Sequence, residues 1–166
     1  QTFPRGDAYL NVSNFNFWKK GKIADRITDW KIRAAYGEAG IQPGAFQRFA
    51  TLPTAVLGPN NVFRYNITNP NPDLSVELSK ELEVGTDIGI KLFKGSLFQN
   101  ANLAFTYWKR STDNAIYSVD AAPSTGVGGR LDNAFGLTSS GIQASLNLTV
   151  LNNKNLSWDF TTNYSK

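Results

Sequence analysis

The longest regular pattern in the chain is an alternation of apolar and polar residues over positions 78–92. Apolar side chains fill one parity, with Lys80 and Thr86 as the polar exceptions, and the other parity carries charged residues, serine and glycine. Successive side chains of a β-strand point to opposite faces of the sheet, so the pattern predicts a strand with one apolar and one polar face. At roughly 3.3 Å per residue and a tilt of about 40°, its apolar run rises about 25 Å, close to the apolar band of a transmembrane barrel.

Five other segments alternate in the same way and are also predicted to form strands. They are residues 9–18, 30–36, 101–110, 137–150 and 156–166. In the first of these, Tyr9, Phe15 and Phe17 share one parity. The strand at 101–110 has an open alternative, in which it continues through Ile116 and Tyr117. No segment shows a competing helical period.

The connections between these strands alternate between short and long. Residues 19–29, 93–100 and 151–155 are short turns, whereas 37–77 and 111–136 are long stretches that contain several prolines, glycines or serines. Outer-membrane barrels have short periplasmic turns and long extracellular loops. We therefore predict an all-β fold, an antiparallel up-and-down transmembrane β-barrel, in which the two long connections are outer loops and the three short ones are periplasmic turns.

Six strands are too few for a closed transmembrane barrel, for which about eight is the usual minimum. An open sheet edge in lipid leaves backbone groups without partners. Residues 1–166 are therefore expected to be a partial β-barrel domain of a larger protein. They are also expected to be a mature or internal piece, because the chain begins at Gln1 and contains no Met. No apolar run approaches the roughly 18 residues of a membrane-spanning helix.

Large aromatic residues coincide with the predicted strand ends. Rings that have an apolar body and a polar edge are favoured where a membrane meets water. We predict membrane-interface positions for six of them, four on the periplasmic side and two on the outer side: Trp18, Trp30, Phe93 and Trp158, and Tyr36 and Tyr107. The parity of Trp108 instead directs its ring to the polar face. Trp108 is therefore a candidate substrate-binding residue, and packing in the protein interior is the alternative.

The composition restricts the chemistry that is open to the chain. Without Cys or His, these residues form no disulfide, no thiolate metal site and no Ser-His-Asp triad. Glu81, Glu83 and Asp87 share the polar face, where acids can bind a cation or act in acid–base chemistry. We interpret them instead as ordinary charges of a barrel wall. The 17 Lys and Arg residues are scattered, which disfavours a nucleic-acid partner. We predict no enzyme activity, no cofactor and no metal site.

Residues 69–90 read NPNPDLSVELSKELEVGTDIGI, and four other segments carry further motifs. These are residues 30–42 (WKIRAAYGEAGIQ), 103–113, 133–146 and 156–165. Together and in this order they resemble SusC/RagA-like TonB-dependent outer-membrane transporters of Bacteroidetes. The positions that match within 69–90 are Asn71, Pro72, Leu74, Glu77, Glu81, Gly85, Asp87 and Gly89. Departures from the family pattern occur at Ser75-Val76, Leu78-Ser79 and Gln143.

The resemblance implies a fold and a function for the whole protein. It implies a 22-stranded barrel in the cell outer membrane, surrounded by outer-membrane lipid, with an N-terminal plug and a SusD-like surface lipoprotein as a lid. The plug is expected to be absent from this chain, so that TonB would contact residues outside it. The implied function is TonB-dependent import of a nutrient, first an oligosaccharide and otherwise a peptide. Two alternatives stay open: a soluble β-sandwich carbohydrate-binding module, and a barrel-borne enzyme with its catalytic groups elsewhere.

Overall fold

The computed structural model describes residues 2–21, 23–64, 69–95, 97–126 and 128–166. Within these ranges the chain is built mainly from β-strands, whose bounds are β1 (Arg5–Asn11), β2 (Ile27–Ile41), β3 (Thr54–Leu57), β4 (Asn60–Phe63), β5 (Glu77–Lys91), β6 (Asn100–Val119), β7 (Arg130–Asn152) and β8 (Ser157–Ser165). A 3-10 turn (Val12–Asn14) precedes the four-residue helix α1 (Asn16–Lys19), and a second 3-10 turn lies at Pro123–Thr125. No helix in these ranges has the length and apolar character needed to cross a membrane.

The strands form one large sheet and one small one. The large sheet has the order β1, β2, β5, β6, β7, β8, and β3 pairs with β4 in a separate two-stranded sheet. The pairs β1–β2 and β7–β8 are antiparallel. Each strand of the large sheet therefore lies beside its neighbour in sequence once the β3–β4 hairpin is set aside. This arrangement confirms the predicted all-β, up-and-down class.

Strand β5 lies within one residue of the predicted strand, since it spans Glu77–Lys91 and the alternation predicted 78–92. Strands β6 and β7 are longer than predicted, so the loop predicted at 111–136 is wrong at both ends. The open alternative, a strand through Ile116 and Tyr117, is confirmed. The connection shortens to 120–129, of which residue 127 lies outside the described ranges.

The polar composition of 111–119 suggested a loop, but side chains from β5 stabilise this stretch as a strand. Lys80 Nζ lies 2.9 Å from Asp113 Oδ2. The Glu77 carboxylate accepts a hydrogen bond from the backbone amide of Ile116 at 3.0 Å. These partners are more than thirty positions away in sequence, and a local pattern does not reveal them.

The strand predicted at 9–18 is wrong beyond Asn11, where β1 ends. After Asn11 the backbone bonds locally, and the amide of Lys19 donates to the carbonyl of Phe15 at 3.3 Å. The apolar parity continues through this turn without a paired strand beside it. Trp18 therefore lies in α1 and not at the end of a strand.

The other connections differ from the prediction at their margins. Strand β2 includes the ends of the connections predicted at 19–29 and 37–77. The turn between β7 and β8 covers 153–156 rather than 151–155, and Asn153 Oδ1 accepts from the amide of Leu156 at 2.9 Å. Residues 22, 65–68 and 96, which fall in predicted connections, lie outside the described ranges.

The chain divides into two compact units, each of which is described by itself. The wall unit comprises Gln1–Gly37, Glu81–Arg110 and Ser139–Lys166, and the loop unit comprises Glu38–Lys80 and Ser111–Thr138. The wall unit contains β1 and β8 in full, together with parts of the other strands of the large sheet. The loop unit contains the β3–β4 hairpin.

The loop unit is organised by residues 69–75, the NPNPDLS stretch of the sequence. Leu74 is 1% exposed and Asn71 is 4% exposed. Asn71 Nδ2 donates to Asp132 Oδ1 at 3.1 Å, and Asn133 Oδ1 accepts from the backbone amide of Ser75 at 2.7 Å. We call Asn71, Leu74, Ser75, Asp132 and Asn133 the clasp. It ties this stretch to the first residues of β7.

We expect Leu74→Ala to loosen the loop unit, because truncating a fully buried leucine costs about 2–5 kcal/mol. In the complete protein purified in detergent, proteinase K should cut within 42–76 roughly tenfold faster or more, as followed by mass spectrometry. Leu52→Ala is the matched control, since Leu52 lies in the same unit and is 70% exposed. Equal cleavage rates for the two variants would contradict the role of Leu74.

Candidate functional site

The polar face of the wall unit gathers charged side chains from four strands. The register of β1 with β2 sets Asp7 opposite Ala35 and Tyr9 opposite Arg33, and cross-strand partners share a face. Side chains from β5 and β6 meet or flank them there: Glu81, Glu83, Asp87, Thr106 and Arg110. The residue types that carry chemistry in this unit therefore lie along one surface.

Arg33 joins three strands on this face. Its Nη2 donates to Thr106 Oγ1 at 2.7 Å, and its Nε lies 3.4 Å from Asp87 Oδ1. The guanidinium passes over Gly85, where an added Cβ would meet Arg33 Cζ at 3.1 Å and the carbonyl oxygen of Phe105 at 2.8 Å. Gly85 is thus required by close approach. The Arg33 side chain, which starts on β2, crosses β5 and reaches Thr106 on β6, because Gly85 has no side chain in its way.

The acids of this face are held mainly by arginines. Arg110 donates to Glu81 Oε2 through Nε at 3.1 Å and through Nη2 at 2.8 Å. Asp87 lies beside Arg33, and Glu83 lines the same cavity as both. In the part of the chain that the structure describes, no group of three or more Asp, Glu, His or Cys residues is placed to hold a metal ion. The contacts favour the interpretation of Glu81 and Asp87 as wall charges.

Trp108 lies on the polar face, as its parity predicts. An added Cβ at Gly141 would meet Trp108 Cζ2 at 2.8 Å and Cε2 at 2.9 Å. The indole therefore packs against the bare backbone of β7, and the residue is half-buried. One side of the ring is covered by the wall itself. Its role in substrate binding stays a prediction.

Tyr9 is a residue of this face that the sequence prediction missed. It pairs with Arg33 across the sheet, and Lys31 Nζ lies 5.5 Å from the centre of its ring, a cation–π distance. It also lines a cavity of about 280 Å³ with Asp7, Arg33 and Glu83. The signal was present in the sequence, because Arg5, Asp7 and Tyr9 alternate with Gly6, Ala8 and Leu10.

The opposite, apolar face carries an aromatic pair, in which the Trp30 indole nitrogen has a hydrogen-bond partner and the buried Nε1 of Trp18 has none among the described residues. The rings of Trp18 and Trp30 lie 5.3 Å apart. Trp30 Nε1 donates to Thr86 Oγ1 at 2.9 Å, and the Thr86 hydroxyl donates to the carbonyl of Lys31 at 3.0 Å. Thr86 interrupts the apolar parity of β5 and here provides the acceptor that an indole needs away from water.

The remaining predicted interface residues are accessible on the surface of the wall unit. Their exposed fractions are 41% for Tyr36, 41% for Tyr107, 67% for Phe93 and 59% for Trp158. Tyr36 and Tyr107 lie on β2 and β6, Trp158 lies on β8, and Phe93 follows β5. Their placement at a membrane interface stays a prediction.

The sequence matches one protein family along nearly its whole length. The family described as TonB dependent receptor-like, beta-barrel, matches residues 7–166. Of two relatives from Formosa agariphila, TonB-dependent receptor P3 is 29% identical over 170 residues, which cover 99% of this chain and 16% of the relative. TonB-dependent receptor P26 is 27% identical over 135 residues, which cover 79% and 13%. The chain thus spans about a sixth or less of the length of these relatives.

Solved structures share the fold of the chain. The RagAB peptide importer in the "closed-closed" state matches with a TM-score of 0.80 and 19% identity, over 98% of this chain and 17% of the other. Its "open-open" state matches with a TM-score of 0.74 at the same identity. The large sheet is therefore a segment of such a barrel. In outer-membrane barrels the apolar face of each strand faces lipid and the polar face lines the lumen.

We expect Ile88→Arg to reduce assembly of the complete protein in the outer membrane, since Arg on the lipid face of a barrel strand is destabilising, by up to about 2–4 kcal/mol at the bilayer midplane and less toward the interfaces. Heat-modifiable migration in gels of the outer-membrane fraction measures the folded barrel. Glu83→Arg is the control on the polar face, and it is preferred to a change at Asp87 because Asp87 pairs with Arg33. An equal loss of folded barrel in both variants would show that the faces are wrongly assigned.

Proposed function

The chain belongs to the TonB dependent receptor-like β-barrel family, and from this premise we propose that it forms part of the wall of an outer-membrane transporter. The transporter takes up a nutrient by a TonB-dependent route. The observation that carries the proposal is the two-faced sheet of the wall unit. Its apolar parity suits lipid, and its polar face carries fixed charges such as Arg33 and Asp87, held in ion pairs and hydrogen bonds.

The proposed partners follow from the family resemblance. TonB acts through residues outside this chain, and a SusD-like lipoprotein covers the outer opening. The plug, also outside this chain, occupies the lumen that the polar face lines. Displacement of the plug by TonB then opens a path along residues such as Trp108 and Tyr9.

An oligosaccharide is the proposed nutrient, and a peptide is the second candidate. The second is kept because RagAB, which shares the fold, is described as a peptide importer. At 19% identity that likeness concerns the fold, and it does not assign the cargo of this chain.

The alternatives explain less of what is observed. A soluble β-sandwich module would bury one face of its sheet against a second sheet, whereas here Leu82, Val84 and Phe105 are 43%, 43% and 39% exposed. An enzyme would need reactive groups aimed at a substrate. The acids Glu81 and Asp87 have arginine partners, and the chain contains no His or Cys.

Uptake by cells tests the proposal. A strain lacking the complete receptor is compared with its parent for growth on malto-oligosaccharides, xylo-oligosaccharides or a tryptic digest of casein as the only carbon source. We expect growth on one class to fall sharply in the mutant, and uptake of that class by the parent strain to be abolished by a protonophore. Receptor-dependent uptake that continues without a proton gradient would refute the TonB-dependent route.

A further inference from the structure

We propose that the loop unit contains a binding site for the sugar rings of a neutral oligosaccharide, formed by Phe46 and Phe49. The site is a cavity of about 280 Å³ within this unit. Its other lining residues are Ala45, Gln47, Thr51, Asn69, Pro70, Ser118, Gly129 and Leu131. The inference rests on the proposed function, because it identifies where and by what chemistry the nutrient is captured.

The backbone of Phe46 is the first observation that points to a ligand. Its φ is 69°, in the left-handed region that glycine and asparagine tolerate and that bulky side chains rarely adopt. Phe46 is also 72% exposed, so packing against the protein does not explain why an aromatic residue stands there. Strained conformations of this kind cluster at functional sites. The strain presents a large aromatic ring to solvent at the edge of the cavity.

The segment that carries Phe46 is fixed to residues 71 and 72, the first of which, Asn71, belongs to the clasp. The backbone amide of Asn71 donates to the carbonyl of Gln47 at 3.2 Å. Arg48 donates to the carbonyl of Pro72 through Nε at 3.0 Å and Nη2 at 2.8 Å. The two phenylalanines are thus held on a supported turn. Arg48 is engaged by the backbone and does not line the cavity.

The lining determines the class of ligand. None of the ten lining residues carries a charge, which disfavours an acidic sugar, a phosphate or a charged peptide terminus. The aromatic rings of Phe46 and Phe49 suit the C–H face of a sugar ring, and the amide of Asn69 and the side-chain NH2 of Gln47 suit its hydroxyl groups. Gln47 Oε1 is already engaged, since it accepts from the backbone amide of Gly44 at 2.7 Å. A purely apolar side chain would cover the remaining amide groups without hydrogen-bond partners, which is unfavourable.

The size of the cavity limits how much of the ligand it holds. Cavities for drug-sized ligands begin at about 300 Å³, so about 280 Å³ accommodates one or two sugar units. The remaining units of an oligosaccharide would extend away from Phe46 and Phe49. The site would therefore recognise an end of the chain or a short internal stretch.

Binding to the complete receptor, purified in detergent, tests the site. The probes are maltohexaose, xylohexaose and laminarihexaose, with trigalacturonic acid and the peptide Ala-Leu-Phe-Gly for comparison, and calorimetry measures Kd. We expect at least one neutral hexaose to bind, and Phe46→Gly and Phe49→Ala to raise its Kd roughly tenfold or more. Phe46→Gly removes the ring and also relieves the backbone strain, so misfolding does not explain a loss of binding.

Phe63→Ala is the matched control, because Phe63 lies in the same unit, is 75% exposed and does not line the cavity. Its Kd should stay within about twofold of the parent value. The proposal is overturned if no hexaose binds, if the Phe46 and Phe49 variants bind as the parent does, or if the peptide or the acidic sugar binds in place of the neutral hexaoses.

The same variants, followed for uptake, separate this inference from the proposed function. If Phe46→Gly cells keep energised uptake and the variant binds hexaoses as the parent does, the proposed site is refuted and the proposed transport function is retained. If Phe46→Gly loses hexaose binding and the parent receptor imports no nutrient, the proposed site is supported and the proposed transport function is refuted.

Discussion

A sheet that separates lipid from an aqueous lumen has to carry one chemistry on each face and leave no polar group unpaired toward lipid. This constraint explains the two exceptions in the apolar parity of β5. The Thr86 hydroxyl accepts from the Trp30 indole and donates to a backbone carbonyl. Lys80 lies 2.9 Å from the Asp113 carboxylate. Both exceptions are paired, each within its own unit, and so they are consistent with the alternation that surrounds them.

The polar face obeys a second constraint, which is space. Side chains that stand upright on a barrel wall narrow the lumen. At Gly85 and Gly141 the wall has no side chain of its own, and the guanidinium of Arg33 and the indole of Trp108 lie across the bare backbone. Long side chains thus pack flat and fix their neighbours in place. These two glycines make room for the side chains that cover them. A larger residue at Gly85 would displace Arg33, and one at Gly141 would displace Trp108.

The sequence alone was sufficient to predict a strand wherever apolar and polar residues alternate along the whole strand. Alternation placed β5 to within one residue, and the order of strands followed from it. It failed where partners are distant, as at 111–119, where polar residues are held in a strand by Glu77 and Lys80. It failed again after Asn11, where the parity continues but the chain turns. Tyr9 was missed because the predicted strand began at that residue and grouped it with Phe15 and Phe17, although its alternation with Asp7 was present in the sequence.

The motif that best identified the family has a structural role that the sequence did not reveal. Asn71 and Leu74 are buried, and Asn71 contacts Asp132, sixty-one positions later. The same stretch supports the turn that carries Phe46 through the amide of Asn71 and the carbonyl of Pro72. A cavity that is already ordered does not pay for loop ordering when a ligand binds. The clasp therefore links the most recognisable part of the sequence to the proposed capture of sugar, since it supplies the rigidity on which a strained, exposed phenylalanine depends.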